Sequence, residues 1–382
     1  MKKAFKNEGF FLEGYMILET LKLRSYRNLG SIDLTWNNHF NVIYGENAQG
    51  KTNLLEAIYL LGHLKSFRGA RGQDLINHTA ETAFISAMVN KGNVAHKLEI
   101  GLQKSGRNPR VDGKTVKKLS EFLGYLRSVL FTPEELANIK GFPAGRRALL
   151  DRAILQTEPV YLDRVQEYDR ILRQRNQLLK KQATWTELAP WTEALVRSGS
   201  RIRYDRQLYL TRFKPLLSQV YREITGGTES AAVNYSLAAE KLDELTDHMN
   251  AAFERLAIRE QKLGITLAGP HRDDLDFQVD GRSLRAFGSQ GQQRSFLLAF
   301  KAAQVMDLEE KFREPPVLLL DDLASELDSK RQEGFFNFLL NRRGQVFLTS
   351  AQQSQLADKV QQTASFFKVN QGLVSATSPE RG

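Results

Sequence analysis

Residues Gly45-Glu46-Asn47-Ala48-Gln49-Gly50-Lys51-Thr52 fit the pattern G-x4-G-K-[ST], which is typical of loops that bind phosphate. A short apolar run at residues 40–44 precedes this stretch, and residues 52–64 have the composition of a helix. The sequence therefore predicts a strand, a loop and a helix in direct succession. In such a loop the glycines let backbone N–H groups turn inward, and the N-terminus of the helix favours a bound anion.

This phosphate loop, residues 45–52, predicts a binding site for ATP with Mg²⁺. The ammonium group of Lys51 supplies a positive charge for the β- and γ-phosphates, and the hydroxyl of Thr52 is a ligand for Mg²⁺. The predicted nucleotide-binding residues are Gly45, Glu46, Asn47, Ala48, Gln49, Gly50, Lys51, Thr52 and Asn53.

A second apolar run, Val317–Leu320, ends in two carboxylates, Asp321 and Asp322. Four consecutive apolar residues are typical of a strand that is buried on both faces of a parallel sheet, and ligands of such sheets bind where the strands end. We expect Asp321 to hold Mg²⁺ and Asp322 to orient or deprotonate the attacking water. The predicted catalytic residues are therefore Asp322 and Lys51, and the predicted metal ligands are Thr52 and Asp321.

A third motif precedes the two aspartates by about 30 residues. Residues 288–294, GSQGQQR, resemble the signature motif of ABC-type ATPases, and residues 325–328, SELD, resemble the D-loop of that family. The resemblance implies that two ATP molecules are sandwiched in a head-to-head dimer. In such a dimer Ser289, Gly291 and Gln292 contact the nucleotide that the opposite subunit holds.

Further stretches make the resemblance more specific. They are residues 23–29 (LRSYRNL), 53–58 (NLLEAI), 141–143 (GFP), 146–147 (RR), 150–151 (LD), 175–179 (RNQLL), 269–275 (GPHRDDL) and 289–294 (SQGQQR). Together they resemble the RecF family of bacterial recombination mediators, which are SMC-like ATPases without the long coiled coil. The resemblance covers residues 16 to about 369.

Membership of this family would imply an ATP-dependent homodimer that binds single-stranded and gapped duplex DNA without reading its bases. It would also imply recombinational repair and replication restart in the response to DNA damage, in which RecR and RecO help to load RecA. Three departures from other ABC-type ATPases predict slow, switch-like hydrolysis. Asp322 stands where transporters carry Glu, residues 349–351 (TSA) replace the switch histidine, and residues 131–135 (FTPEE) occupy the position of the Q-loop glutamine.

The order of the predicted elements indicates an α/β fold, namely an ABC-type, SMC-like P-loop ATPase head that is split in the sequence by an inserted α-helical arm. Helical spacing and few strand formers predict two helices of about 35 residues in the arm, separated at Ala189-Pro190 and ended by Gly226-Gly227. The predicted segments are an N-terminal extension (1–15), the first part of the head (16–140), the arm (141–262) and the second part of the head (263–382).

The charge distribution suggests a polyanion as the partner, with a well-solvated helical surface as the alternative. The net charge of the 382 residues is +10, and the segment from Lys140 to Arg222 carries 17 basic and 8 acidic residues. A second basic cluster, with one acidic residue, contains Lys104, Arg107, Arg110, Lys114, Lys117 and Lys118. The chain has no cysteine, no signal peptide and no apolar run long enough to cross a membrane, so we expect a cytoplasmic protein.

Two other functions stay open at this point. One is the soluble ATPase subunit of a membrane transporter, and the other is an SMC-like structural or defence ATPase that acts with a nuclease. His271 stands beside Asp273 and Asp274, but a metal nuclease needs several converging ligands. Arg68 is a candidate contact to nucleotide or DNA, with an ordinary surface arginine as the alternative.

Overall fold

A computed structural model describes residues 15–235, 237, 239, 241–322, 339, 342, 344–352 and 358–377. The chain forms two compact units: one contains the chain up to Glu135 and from Leu297 onward, and the other is Leu136–Phe296. The predicted N-terminal extension, apart from Tyr15, and the predicted D-loop, Ser325–Asp328, lie outside the described residues.

In chain order the strands are β1 (Ile17–Tyr26), β2 (Leu29–Thr35), β3 (Phe40–Tyr44), β4 (Thr82–Lys91), β5 (Val94–Gln103), β6 (Gly106–Val111), β7 (Lys114–Thr115), β8 (Ser128–Phe131), β9 (Ala231–Tyr235), β10 (Leu275–Val279), β11 (Arg282–Ser283), β12 (Val317–Leu320), β13 (Val346–Ser350), β14 (Ser365–Asn370) and β15 (Leu373–Thr377). The helices are α1 (Lys51–His63), α2 (Leu136–Lys140), α3 (Pro143–Thr157), α4 (Tyr161–Lys180), α5 (Trp185–Thr225), α6 (Leu242–Leu263), α7 (Leu284–Phe287), α8 (Gln290–Phe312) and α9 (Asp358–Thr363).

The first unit contains two sheets. One is antiparallel, with strand order β2-β1-β4-β5-β6-β7. Along β1 the buried residues Leu21 and Leu23 alternate with the exposed Lys22 and Arg24, as expected for a sheet with one face in the core and one in water.

The other sheet, with strand order β15-β14-β3-β13-β12-β8, positions the candidate site. All its pairs except β14–β15 are parallel, and every residue of β3, β12 and β13 is buried. Because parallel strands end at the same edge of a sheet, the phosphate loop after β3, the aspartates after β12 and the end of β13 meet there. The predicted α/β head and its buried parallel strands are confirmed.

The second unit combines the long helices with the three-stranded sheet β11-β10-β9. It begins before residue 141 and continues to Phe296, so it extends on both sides of the predicted arm, 141–262. The reason is pairing between distant strands, since β10 binds β9 through five residue pairs from Leu275–Tyr235 to Val279–Ala231. Strands that the sequence pattern assigns to the head therefore belong to the second unit.

The prediction of two similar arm helices separated at Pro190 was wrong. Helix α4 has 20 residues and α5 has 41, and residues 181–184 separate them. Thr184 and Glu187 form a reciprocal capping box that starts α5, so the helix is already established when the chain reaches Pro190. At its other end α5 stops at Gly226, as predicted, in the left-handed conformation with φ of 70°.

Candidate nucleotide-binding site

Two glycines determine the path of the phosphate loop. Gly45 has φ of 146°, and a Cβ atom there would lie 2.3 Å from the backbone oxygen of Val369. Gly50 has φ of 119°, and a Cβ atom there would lie 2.9 Å from Oδ1 of Asn28. The backbone conformation therefore favours glycine at both positions, and at Gly45 the neighbouring backbone also leaves no room for a side chain.

Side chains from outside the motif hold the loop in place. Nδ2 of Asn28 donates to the backbone oxygen of Gln49 at 3.0 Å, and Nδ2 of Asn53 donates to Oδ1 of Asn28 at 2.8 Å. The backbone N–H of Gly372 also donates to the Gln49 oxygen, at 3.1 Å, while that of Gln371 donates to Oε1 of Gln49 at 2.6 Å. Gln49 and Asn53 thus both take part in the hydrogen bonds that hold the loop in place.

The ammonium group of Lys51 lies inside the loop. Its Nζ donates to the backbone oxygens of Gly45 at 2.5 Å and of Glu46 at 2.8 Å. Burial lowers the pKa of Lys51, while the negative charges of Asp322 and Asp321 oppose that shift. The predicted catalytic lysine and both aspartates are therefore within electrostatic reach of one another.

Asp321 is buried and is bound by two hydroxyl groups. Thr52 Oγ1 donates to its Oδ1 at 3.0 Å, and Thr349 Oγ1 donates to the same atom at 2.8 Å. Burial raises the pKa of Asp321; the two hydroxyl groups oppose this shift, and the charges of Glu134 and Asp322 add to it. Hydroxyl and carboxylate oxygens are the ligands that Mg²⁺ takes beside nucleotide phosphates, so Thr52 and Asp321 fit the predicted metal site.

Asp322 is exposed and follows Asp321 with φ of 46°. Its backbone N–H donates to Oγ1 of Thr349 at 2.9 Å, so one threonine contacts both aspartates. In the sequence, Thr349 is notable only as part of the segment that replaces the switch histidine. Its contacts arise from its place in β13, beside β12, where a hydroxyl reaches both carboxylate residues.

The segment that follows β8, to which the sequence assigns the Q-loop position, lies beside Asp321. The backbone N–H of Asp321 donates to the oxygen of Phe131 at 2.9 Å, and the Thr132 hydroxyl donates to the Glu134 carboxylate. Since Glu134 also raises the pKa of Asp321, a carboxylate is close to the predicted metal site in the segment where related ATPases have glutamine.

A buried ion pair positions Arg68 beside the phosphate loop. Glu56, in α1, is fully buried and accepts hydrogen bonds of 2.9 Å from Nε and Nη2 of Arg27, and also one from the Ser66 hydroxyl. Ser66 Oγ in turn accepts from the backbone N–H of Arg68 at 3.1 Å. Nη1 of Arg68 then donates to Oδ1 of Asn53 at 3.0 Å, so this arginine contacts a predicted nucleotide-binding residue.

The three predicted signature residues lie in the second unit, whereas the phosphate loop lies in the first. Ser289 is exposed and starts α8 through a reciprocal pair of hydrogen bonds: its Oγ accepts from the Gln292 N–H at 3.1 Å, and its own N–H donates to Oε1 of Gln292 at 3.0 Å. Gly291 is half-buried in the same turn. Next to them Phe287 is 75% exposed, which is unusual for a phenylalanine.

Several arginines of the arm form ion pairs inside the second unit. These pairs include Arg146–Asp274, Arg164–Asp205, Arg175–Glu260, Arg203–Asp273 and Arg206–Asp151. These arginines stabilise the unit, so their number in the sequence overstates the charge available to a polyanion.

The second basic cluster is more accessible. Lys104, Arg110, Lys114, Lys117 and Lys118 are exposed on or beside β5, β6 and β7. Arg107 differs because it is half-buried and donates to the backbone oxygen of Leu64, and burial lowers its pKa. The antiparallel sheet of the first unit therefore carries the clearer basic surface.

His271, the histidine beside acidic residues, has two hydrogen-bond partners in the second unit. Its Nδ1 lies 2.6 Å from the Tyr168 hydroxyl and its Nε2 lies 3.3 Å from the backbone oxygen of Thr266. Across the described residues, no group of three or more His, Asp or Glu side chains is placed to hold a metal ion. Among the helices that the structure describes, none is long and apolar enough to cross a membrane.

Comparison with known proteins agrees with this geometry. Residues 17–375 match the family described as RecF/RecN/SMC N terminal domain. The DNA replication and repair protein RecF of Syntrophotalea carbinolica is 46% identical over 357 residues, which are 94% of this chain and 98% of that protein.

Solved structures show the same relationship. A structure of the recombination mediator protein RecF-ATP in the RecFOR pathway is 32% identical, has a TM-score of 0.86, and covers 95% of this chain and 99% of its own. The Smc head domain of Pyrococcus furiosus, bound to the C-terminal domain of ScpA, is 17% identical with a TM-score of 0.54, covers 95% of this chain and 96% of its own, and shares the fold.

The fold and the site together define an ABC-type, SMC-like ATPase head. Within that class, the chain belongs to the RecF family. The predicted resemblance is thereby confirmed, and the names of the relatives agree with the predicted role in DNA replication and repair. They favour it over a transporter subunit or a structural or defence ATPase.

Proposed function

We propose that this protein is a cytoplasmic, ATP-gated DNA clamp of recombinational repair and replication restart. ATP with Mg²⁺ binds the phosphate loop, two copies associate head to head on gapped DNA, and slow hydrolysis releases them. RecR is the proposed direct partner, with RecO and RecA in the same pathway, since the solved relative belongs to the RecFOR pathway.

The observation that carries this proposal is the contact between Thr52 and Asp321, beside Lys51 and Asp322. The hydroxyl and the buried carboxylate supply oxygen ligands for Mg²⁺, and Lys51 supplies positive charge for the phosphates. Asp322, next along the chain and exposed, is the group that polarises the attacking water. ATP is also named for the RecF relative of known structure.

The surface around Ser289 supports association of two copies. The Ser289 hydroxyl accepts a hydrogen bond from the Gln292 N–H, and its own O–H can donate a hydrogen bond to a partner. Phosphate oxygens accept hydrogen bonds of this kind. Phe287 exposes apolar area beside it, as is typical of a surface that a partner covers. In the proposed dimer Ser289, Gly291 and Gln292 complete the nucleotide site of the other copy.

The exposed basic residues of the first unit support a DNA surface. Lysine and arginine side chains on strands and turns bind the phosphate backbone, and their affinity falls steeply with salt. Such contacts position a protein on DNA without reading its sequence. The proposed DNA-binding residues are Lys104, Arg110, Lys114, Lys117 and Lys118.

Fluorescence anisotropy with a gapped duplex tests the proposal, using ATP, ADP and the variant Lys51→Ala. We expect tight, salt-sensitive binding only with ATP and intact Lys51. A combined Lys104→Gln, Arg110→Gln and Lys114→Gln variant should lower the slope of log affinity against log salt by about 0.9 for each phosphate that is no longer neutralised. Lys241→Gln, which removes an exposed lysine of the second unit, is the matched control. Binding that does not depend on the nucleotide would contradict the proposed clamp.

A further inference from the structure

The first turn of α8 is hydrogen-bonded to the loop that follows the long helix α5. Nε2 of Gln292 donates to Oε1 of Glu229 at 2.9 Å. The other carboxylate oxygen of Glu229 accepts from the Tyr221 hydroxyl, also at 2.9 Å, and Tyr221 is buried in the last turns of α5. A continuous chain of contacts therefore runs from α5 through Glu229 to the signature motif.

Glu229 determines how the side-chain amide of Gln292 is oriented. A carboxylate only accepts hydrogen bonds, so it must face the NH₂ group of Gln292. The amide oxygen is then directed to the backbone N–H of Ser289, at 3.0 Å. If the amide turned over, an NH₂ group would meet that N–H and the hydrogen bond would be broken. Glu229 thus maintains the turn that presents Ser289.

The loop that carries Glu229 is itself held at both sides. Gly227 closes α5, with its N–H donating to the Arg222 oxygen at 2.7 Å. On the other side, both the backbone N–H and the hydroxyl of Ser230 donate to Oδ1 of Asp280, at 2.8 and 3.0 Å. Three residues separate the last residue of α5, Thr225, from Glu229, and the Tyr221 hydroxyl binds Glu229 back to that helix.

We propose that Glu229 is a positioning residue that couples the long helix α5 to the signature motif. This coupling rests on the proposed ATP-dependent dimer, in which Ser289 contacts the nucleotide of the other copy. DNA or a protein partner that displaces α5 would change the position of the Ser289 hydroxyl and hence the stability of the dimer. The phosphate loop is outside this chain of contacts, so nucleotide binding to a single copy does not depend on Glu229.

The test compares Glu229→Ala with Glu223→Ala in two assays on the full chain. Sedimentation with ATP measures association, and titration with a fluorescent ATP analogue measures nucleotide binding to single copies. Glu223 is the matched control because its carboxylate accepts a hydrogen bond from Gln219, one turn earlier in the same helix α5. We expect Glu229→Ala to weaken ATP-dependent association about tenfold or more, the effect of one hydrogen bond to a charged group. Analogue binding should not change, whereas the midpoint of denaturant unfolding should fall because the buried Tyr221 hydroxyl loses its acceptor. A purely structural role would lower that midpoint but leave the association of the folded protein, measured without denaturant, equal to that of Glu223→Ala.

Four further variants extend the test. Glu229→Gln keeps an oxygen acceptor for Gln292 and should restore association. Gln292→Ala should weaken association, and adding Glu229→Ala to it should cause little further weakening because both changes remove the same hydrogen bond. If Glu229→Ala does not fold, Tyr221→Phe, which removes one hydrogen bond to Glu229, should show the same effect in smaller measure.

Ser289→Ala separates the two proposals. If it weakens association while Glu229→Ala behaves like Glu223→Ala, the coupling is overturned and the dimer stands. If the wild-type chain does not associate with ATP, or Ser289→Ala has no effect, the proposed dimer fails and the coupling with it.

Discussion

The hydroxyl of Thr52 donates a 3.0 Å hydrogen bond to Oδ1 of Asp321, although 269 positions separate the two residues in the chain. Thr52 ends the phosphate loop and Asp321 follows β12, and the parallel sheet brings these two ends together. The residues that we propose to hold Mg²⁺ are thus brought together by the fold.

Asp322→Asn should preserve ATP binding and slow hydrolysis about a hundredfold or more, because it removes the group that we propose to polarise the attacking water. The ATP-dependent dimer should then persist longer. Single-turnover hydrolysis and sedimentation with ATP measure both effects. Asp33→Asn, which changes an exposed carboxylate paired with Lys22, is the control. Unchanged hydrolysis in Asp322→Asn would show that another group activates the water.

Thr349→Val should shift the acidic side of the pH–activity profile to higher pH. The hydroxyl of Thr349 lowers the pKa of Asp321, which burial raises, so its removal lets that pKa rise further. In the proposed site Mg²⁺ binds the ionised carboxylate of Asp321, and a higher pKa reduces the ionised fraction at any given acidic pH. The pH dependence of kcat/KM measures the shift. Thr349→Ser keeps the hydroxyl and should retain the wild-type profile; an equal shift in both variants would contradict this role.

The stability of the protein should fall as the pH decreases from about 6.5 towards 4 because of His271. Burial and the neighbouring charges of Arg272 and Arg147 lower the pKa of His271 from 6.5 to about 4, while the Thr266 backbone and Asp273 oppose the shift. In this interval the unfolded chain binds the proton more readily than the folded one, so acid favours unfolding by up to roughly 3 kcal/mol.

Denaturant unfolding at pH 7 and pH 5 measures this contribution. His271→Gln cannot take up the proton, so its free energy of unfolding should decrease less between the two pH values than that of the wild type. An identical decrease in both proteins would show that other groups cause the acid sensitivity.

Arg175→Met should destabilise the protein by about 3–5 kcal/mol, because it leaves a buried carboxylate without its cation. Arg175 and Glu260 are 2% and 0% exposed and form an ion pair of 2.7 Å. The double variant Arg175→Met, Glu260→Gln should recover part of the stability. Lys241→Met, which breaks the exposed pair with Glu244, should change the free energy of unfolding by less than about 1 kcal/mol. Denaturant unfolding distinguishes the two cases.

Part of the arm could not be predicted from local patterns. Pro190 suggested a break, but the capping box of Thr184 and Glu187 starts the helix before it. The second unit also continues beyond residue 262, where the sequence pattern ends the arm, since β9 and β10 pair across an intervening helix. At Pro190 the hydrogen bonds of the capping box outweigh the tendency of proline to break a helix. Beyond residue 262 the hydrogen bonds between distant strands outweigh the local sequence pattern.

The sequence by itself determined the phosphate loop, the buried strand before the two aspartates, and the family. These features depend on residues that are close together in the chain, where glycine, charge and apolar runs act directly on the backbone. Only the tertiary structure decided that Thr349 contacts both aspartates, that several arm arginines form internal ion pairs, and that Glu229 contacts Gln292. The physical reason is that each of these contacts joins side chains from distant segments, and their partners are chosen by packing and by the need to pair buried polar groups.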